Sequence, residues 1–147
     1  MRKKLTGWLI LLIVLLGPLS FGGGSRNLST LPNLYKETFP DASNLQIAIV
    51  LFQLLVGAGI VVWAYTAWLL YRREPGTLRP AQVGLVVGAF LRLLGGYSVP
   101  LLGGLPPDIA ERMIRHSFVP TVITLGIVGA WYLYLIRSER VRDIYSD

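Results

Sequence analysis

Four long apolar runs, separated by more polar segments, dominate the pattern of this chain. The runs lie at residues 5–21, 45–71, 82–105 and 118–136, and Arg92 is the single charged residue inside them. A helix needs about 20 apolar residues to cross a hydrocarbon core about 30 Å thick. A backbone in lipid must also satisfy its own hydrogen bonds, which favours helices. The pattern therefore predicts an all-α fold, an integral membrane four-helix bundle.

The polar segments give the expected order of this single transmembrane domain. Residues 22–44 and 106–117 are the predicted outer loops, 72–81 the inner loop and 137–147 the tail. The first outer loop starts with a Gly-Gly-Gly-Ser sequence, which indicates a flexible segment. The second carries acidic and basic residues at helical spacing, which predicts a short helix lying on the bilayer surface.

Lysine and arginine predict the direction of threading, because cytoplasmic loops are enriched in both. One side holds Arg2, Lys3, Lys4, Arg72, Arg73, Arg79, Arg137, Arg140 and Arg142, and the other holds Arg26, Lys36, Arg112 and Arg115. The tryptophans fall toward the first side, as an interfacial belt would: Trp8, Trp63, Trp68 and Trp131. We therefore expect a protein of a bacterial cytoplasmic membrane with both termini in the cytoplasm, the N-in/C-in arrangement.

The first apolar run has a second interpretation, a cleaved signal peptide. It follows basic residues, and Ser20 and Gly22 are small residues of the kind found at cleavage sites. Its length exceeds the roughly 7–15 apolar residues usual in such peptides. The length favours a retained helix.

Composition narrows the functional classes. Of 147 residues, 53% are hydrophobic and 15% are charged. The net charge is +6, but the charged residues flank the apolar runs and do not form one basic stripe, so no nucleic-acid partner is expected. The chain has no cysteine, which excludes disulfides and thiolate metal sites. It also lacks a phosphate-binding glycine loop, a His-Glu-x-x-His motif and a nucleophile elbow. We expect no enzyme, no cofactor and no metal site, and the lone His116 does not change that expectation.

Arg92 is the most unusual residue, because a charge at bilayer depth costs about 2.5–3.5 kcal/mol on insertion scales. The spans contain no acidic partner for it. Gln53 falls at a similar depth, and Thr121 and Thr124 add hydroxyl groups. These residues form a predicted polar pocket for an anionic group, such as a lipid phosphate. The interpretation that we favour from the sequence is nevertheless structural, with Arg92 bonded to Gln53 and backbone carbonyls or reaching the outer surface.

Small residues accompany Arg92 on its helix. Their spacing places them on one face, where the missing side chains allow a second helix to approach closely. They are Gly84, Gly88, Gly95 and Gly96.

The fourth run ends in aromatic side chains and is followed by a basic segment, which can hold anionic lipid headgroups at the cytoplasmic face. This ending resembles that of the domain of unknown function 2569 family, small bacterial four-helix membrane proteins. The matching residues are Trp131, Tyr134, Ser138, Arg140, Val141 and Arg142, with Tyr145 at the closing aromatic position. Ile144 departs from the threonine common in the family. The start, Gly7-Trp8-Leu9-Ile10, is similar too. The resemblance implies a retained first helix and no established activity.

Two functions remain open from the sequence. The favoured one is a non-enzymatic accessory module that packs against other helices through the glycine face, as a homo-oligomer or with a membrane protein partner. The alternative is a small transporter or a lipid- or anion-binding protein that uses the pocket around Arg92. Four helices enclose little volume, so transport would require an oligomer.

Overall fold

The computed structural model describes residues 7–42 and 44–146, and at Phe21 and residues 23–27 it describes the backbone alone. The α-helices are α1 (Gly7–Val14), α2 (Ser20–Thr38), α3 (Leu45–Arg72), α4 (Leu78–Leu102), α5 (Pro107–Arg137) and α6 (Glu139–Tyr145), with a π-helical segment, Leu15–Leu19, between α1 and α2. The prediction of an all-helical fold is confirmed. Arg2, Lys3 and Lys4, on which part of the predicted orientation rests, lie outside the described residues.

The first helical rod is longer than expected. α1, the π-helical segment and α2 follow one another without a break, so helix continues through most of the predicted flexible loop at 22–44. That prediction was wrong for residues 22–38. Leu28, Leu31 and Tyr35 recur at helical spacing and pack against a buried cluster formed mainly by α3. Burying their apolar surface offsets the low helix propensity of the glycines before them.

Pro18 lies inside the π-helical segment. A proline ring clashes with the carbonyl group four residues earlier and has no N–H to donate. The wider π-helical turn accommodates the ring there and leads into Ser20, the first residue of α2. Such turns frequently occur at functional sites.

α3 and α4 form a tightly packed hairpin. The connection begins with Arg73 in the left-handed region, at φ 55°, and contains Gly76 at φ 80°, where the absence of a Cβ avoids strain. Along the interface α4 presents glycines to larger side chains of α3: a Cβ on Gly95 would lie 2.6 Å from Val56 Cγ2, and one on Gly84 would overlap the Thr66 hydroxyl. The glycines therefore let the two helices approach within van der Waals contact.

α5 packs more loosely than its neighbours. It runs without a break from Pro107 to Arg137, so the expected surface helix at 106–117 and the expected span at 118–136 are one helix. Glu111 and Arg115 form an ion pair near its start, at 2.5 Å. Within its most apolar 18-residue window only 11% of residues are buried, against 33% in α3 and 39% in α4. Most of the apolar surface of α5 therefore faces outward.

The segment after α5 folds back instead of trailing as a free tail. The Ser138 hydroxyl accepts a hydrogen bond from Val141 N and caps α6. Val141, Ile144 and Tyr145 are buried. The Tyr145 hydroxyl donates to the carbonyl oxygen of Leu70, near the end of α3, at 2.6 Å. The C-terminal segment thus closes the end of the bundle where α3 finishes.

α3, α4 and α5 are each long and apolar enough to cross a membrane. The apolar helical stretch Gly7–Leu19 is shorter than these three. By length and composition, the described part of the chain has the helices of a membrane protein.

Candidate binding site beside Arg92

The Arg92 side chain extends from α4 across the face of α3. It passes over Gly59, where an added Cβ would overlap Arg92 Cγ and lie 2.9 Å from the carbonyl oxygen of Gly88. A larger residue at position 59 would therefore exclude the arginine or separate the helices. Gly59 is a required part of the site.

Two side chains hold the guanidinium group in place. Arg92 Nη1 donates to the Ser20 hydroxyl oxygen at 2.9 Å. Arg92 Cζ lies 4.6 Å from the centre of the Trp63 ring, a cation–π contact. Ser20 is at the start of α2 and Trp63 is on α3, so the arginine links three helices of the fold.

Trp63 is itself fixed. Its indole Nε1 donates to the carbonyl oxygen of Leu85 at 3.0 Å. The ring lies against Gly88, where a Cβ would overlap it. The sequence had placed Trp63 in an interfacial belt, but its half-buried ring is packed between α3 and α4. It serves as the surface on which Arg92 rests.

Neither contact neutralises the arginine. A hydroxyl group and an aromatic ring carry no formal charge, and within the described residues no carboxylate lies within ion-pair distance of Arg92. A guanidinium has five N–H donors, and with the residues that the structure describes Arg92 makes one hydrogen bond, to Ser20. The group therefore keeps its positive charge and most of its donors for another acceptor.

Arg92 also borders a cleft between α4 and α5. The first part of this cleft has a volume of about 360 Å³ and is bounded by Trp63, Arg92, Leu93, Thr124, Ile127 and Val128. A second part of about 240 Å³ shares Arg92, Leu93 and Thr124 and continues along α5 toward its N-terminal end. This second part is more polar, with Tyr97, His116, Ser117 and Thr121 on its walls.

The polar wall is internally ordered. Thr121 Oγ1 donates its proton to the carbonyl oxygen of Ser117 at 2.6 Å. Because Thr121 has a single hydroxyl proton, Tyr97 is the donor in the 2.7 Å hydrogen bond between the Tyr97 and Thr121 hydroxyl groups. Thr124 likewise donates to the carbonyl oxygen of Pro120 at 2.8 Å. The threonine oxygens keep lone pairs, while Arg92 supplies the positive charge.

The structure brings some of the predicted residues together and separates others. Thr124 borders both parts of the cleft with Arg92, and Thr121 borders its second, more polar part. Gln53 is exposed, and its side chain donates to the carbonyl oxygen of Leu28 at 3.3 Å, so its bonded partner is on α2 and not Arg92. Ser20, Trp63 and Tyr97 are site residues that the sequence reasoning missed.

The predicted glycine face is divided. Gly84, Gly88 and Gly95 lie against side chains of α3, whereas Gly96 has open space around it and borders the second part of the cleft. A partner protein therefore cannot use the first three glycines, because α3 of the same chain already covers them.

The residues of the tail motif also have defined places. The centre of the Trp131 ring lies 6.2 Å from the centre of the Trp8 ring, and this contact joins α5 to α1. It lies 5.7 Å from the centre of the Tyr134 ring on the same helix. Ser138 caps α6 and Val141 is buried against the bundle. Arg140 and Arg142 are exposed on the outside of α6.

Comparisons with known proteins provide no relative for this chain. No family model, no curated protein and no solved structure matches it.

Proposed function

We propose that this chain is a non-enzymatic protein of a bacterial cytoplasmic membrane that binds an anionic group in the cleft beside Arg92. The observation that carries the proposal is a guanidinium group that has, in the described part of the chain, one hydrogen bond and no carboxylate partner, with a cleft of about 360 Å³ next to it. A charge at membrane depth costs several kcal/mol, so an anion that approaches Arg92 recovers part of that free energy.

The proposed topology has four spans and both ends in the cytoplasm. Three helices meet the requirements of length and composition, and the Gly7–Leu19 stretch continues into α2, which supplies the residues needed for a fourth crossing. The exposed Arg140 and Arg142 of α6 would then face anionic lipids on the cytoplasmic side. The resemblance of the tail to the domain of unknown function 2569 family implies a retained first helix, which the proposed four spans require.

The topology has its own test. A reporter that is active only in the cytoplasm, fused after Asp147, should be active in a bacterial host. Activity of a periplasm-specific reporter at the same position would contradict the N-in/C-in arrangement.

The binding proposal is tested by purification in mild detergent. Wild-type protein should carry along an anionic amphiphile or anion that Arg92→Leu protein does not, while both variants elute at the same size. Identical bound material in both proteins would contradict the proposal.

A second function, an accessory module in a larger assembly, is favoured by the exposed apolar face of α5. Phe118, Val122 and Leu125 are each more than half exposed, and only 11% of the apolar window of α5 is buried within the chain. A second copy or another membrane protein would cover that face. Cross-linking in intact membranes through a cysteine introduced at position 122 should then give a defined adduct; monomer alone would exclude this function.

A further inference from the structure

The cleft beside Arg92 changes its chemistry along its length. The first part has the apolar side chains of Ile127 and Val128 on its wall, whereas the second part has hydroxyl and imidazole groups on its walls. Arg92, Leu93 and Thr124 border both parts. The site therefore has an apolar compartment and a polar compartment that meet at one positive charge.

The two compartments are ordered along the bundle axis. Arg92 lies 14 positions after Leu78 (92 − 78), about 21 Å along α4. Thr124 lies 13 positions before Arg137 (137 − 124), about 20 Å along α5 from the same end. The two residues are thus level. His116, eight positions before Thr124, lies about 12 Å farther toward the opposite end.

In the proposed topology the end nearer His116 faces the outer side of the membrane. The polar compartment then opens toward the outer headgroups, and the apolar compartment extends toward the bilayer centre. A phospholipid of the outer leaflet has the same order, with its headgroup outward and its acyl chain inward. A free inorganic anion would use Arg92 but would leave the apolar wall without a role.

We propose that the cleft is a binding site for an anionic lipid of the outer leaflet. Its headgroup accepts hydrogen bonds from Arg92 and lies along the polar wall, and one acyl chain lies against Leu93, Ile127 and Val128. The inference rests on the proposed function and topology and adds to them the class of ligand and its orientation.

Two residues of α5 provide a matched test of the acyl-chain compartment. Ile127 borders the cleft and is 50% exposed, whereas Ile123, one turn away, is 54% exposed and lies outside the cleft lining. Ile127→Trp fills the apolar compartment, and Ile123→Trp adds the same ring elsewhere on the helix. Both positions tolerate a larger side chain because neither is buried, so both variants should fold.

The experiment measures binding of defined lipids to purified protein in detergent by native mass spectrometry. The probes are dioleoyl phosphatidylglycerol, which is anionic, dioleoyl phosphatidylcholine, which has the same chains and no net charge, and inorganic phosphate. Wild-type protein should prefer the anionic lipid by about tenfold or more, the effect of one charge-assisted hydrogen bond. Arg92→Gln should abolish the preference, and Arg92→Lys, which keeps the charge, should retain part of it. Ile127→Trp should weaken binding of the anionic lipid, whereas Ile123→Trp should not.

The outcomes separate the lipid inference from the proposed function. If phosphate binds in an Arg92-dependent manner while Ile127→Trp leaves lipid binding unchanged, the lipid inference fails and the anion-binding function stands. If folded Arg92→Gln protein binds both the anionic lipid and phosphate as wild type does, both proposals fail.

Discussion

Gly88→Ala is a sharp test of how the Arg92 site is built. The added methyl group would overlap the Trp63 ring, which must move and lose its hydrogen bond to the Leu85 carbonyl oxygen. Overpacking costs about 1–3 kcal/mol, and the lost hydrogen bond about 1 kcal/mol. The higher helix propensity of alanine returns about 0.5–1 kcal/mol. We expect a net loss of about 2 kcal/mol in the free energy of unfolding, and displacement of the ring on which Arg92 rests.

The matched control is Gly96→Ala on the same helix. No atom lies within 4 Å of a Cβ at that position, so the substitution gains helix propensity without a clash. Thermal unfolding in detergent, followed by circular dichroism, should show the Gly88→Ala midpoint about 4–8 °C below wild type and the Gly96→Ala midpoint at or slightly above it.

A second measurement tests the link from Gly88 to Arg92. Trp63 emission, in protein whose other tryptophans are replaced by phenylalanine, should change in Gly88→Ala and remain unchanged in Gly96→Ala. Equal melting temperatures and equal emission spectra in the two variants would refute this account of the interface.

Three further predictions concern Ser20 and the C-terminal helix. Ser20→Ala removes the acceptor for Arg92, a hydrogen bond to a charged group, and should lower the free energy of unfolding by about 1.5–3 kcal/mol in thermal melts; an unchanged melting temperature would show that the bond contributes nothing. Tyr145→Phe removes the bond to Leu70 and should weaken docking of α6 by about 1 kcal/mol, seen as faster tryptic cleavage after Arg142; an equal rate would contradict this role. Burial raises the pKa of Tyr145, with a smaller raising effect from Tyr134 and a lowering one from Arg73. Because the folded-state pKa is the higher one, docking of α6 should be constant below the ordinary phenol pKa of about 10 and weaken as the pH rises above it; tryptic cleavage measured up to pH 11 checks this, and a pH-independent ratio of wild-type to Tyr145→Phe cleavage would refute it.

The long apolar helices were predictable, because a long apolar run is recognised from the local sequence alone. α3 begins at Leu45 as the pattern indicates, and its end differs from the prediction by one residue. α2 was missed because the Gly-Gly-Gly-Ser sequence indicates flexibility. The spacing of Leu28, Leu31 and Tyr35 was a helical pattern in the same segment. Their packing against α3 is a tertiary effect that determines the helix in spite of the local sequence.

The site was predictable only in part. Arg92 stands out because it is charged within an apolar run, whereas its contacts depend on the packing of distant segments. Ser20 lies 72 positions away and had been considered as part of a cleavage site. Trp63 was placed at the membrane interface because tryptophans are common there. A pattern along one helix does not determine which residues of another helix face it.

The C-terminal segment, too, was predictable in its local structure but not in its long-range contacts. Ser138 with Val141 three residues on is a local pattern, and the cap that they form is local too. Docking of Tyr145 on Leu70 joins residues 75 positions apart, so no local pattern indicates it. The tail motif could therefore be recognised from the sequence, whereas the docking of its closing tyrosine on α3 could not.

Quenching of Trp63 by brominated lipids tests the central claim most directly, because this ring lies beneath Arg92 and borders the cleft. Protein with Trp63 as its single tryptophan is placed in nanodiscs of zwitterionic lipid, and brominated phosphatidylglycerol or brominated phosphatidylcholine is added in small amounts. The account predicts stronger quenching by the anionic lipid, which disappears in Arg92→Gln and is reduced in Ile127→Trp. Equal quenching by the two lipids in otherwise wild-type protein would contradict the account.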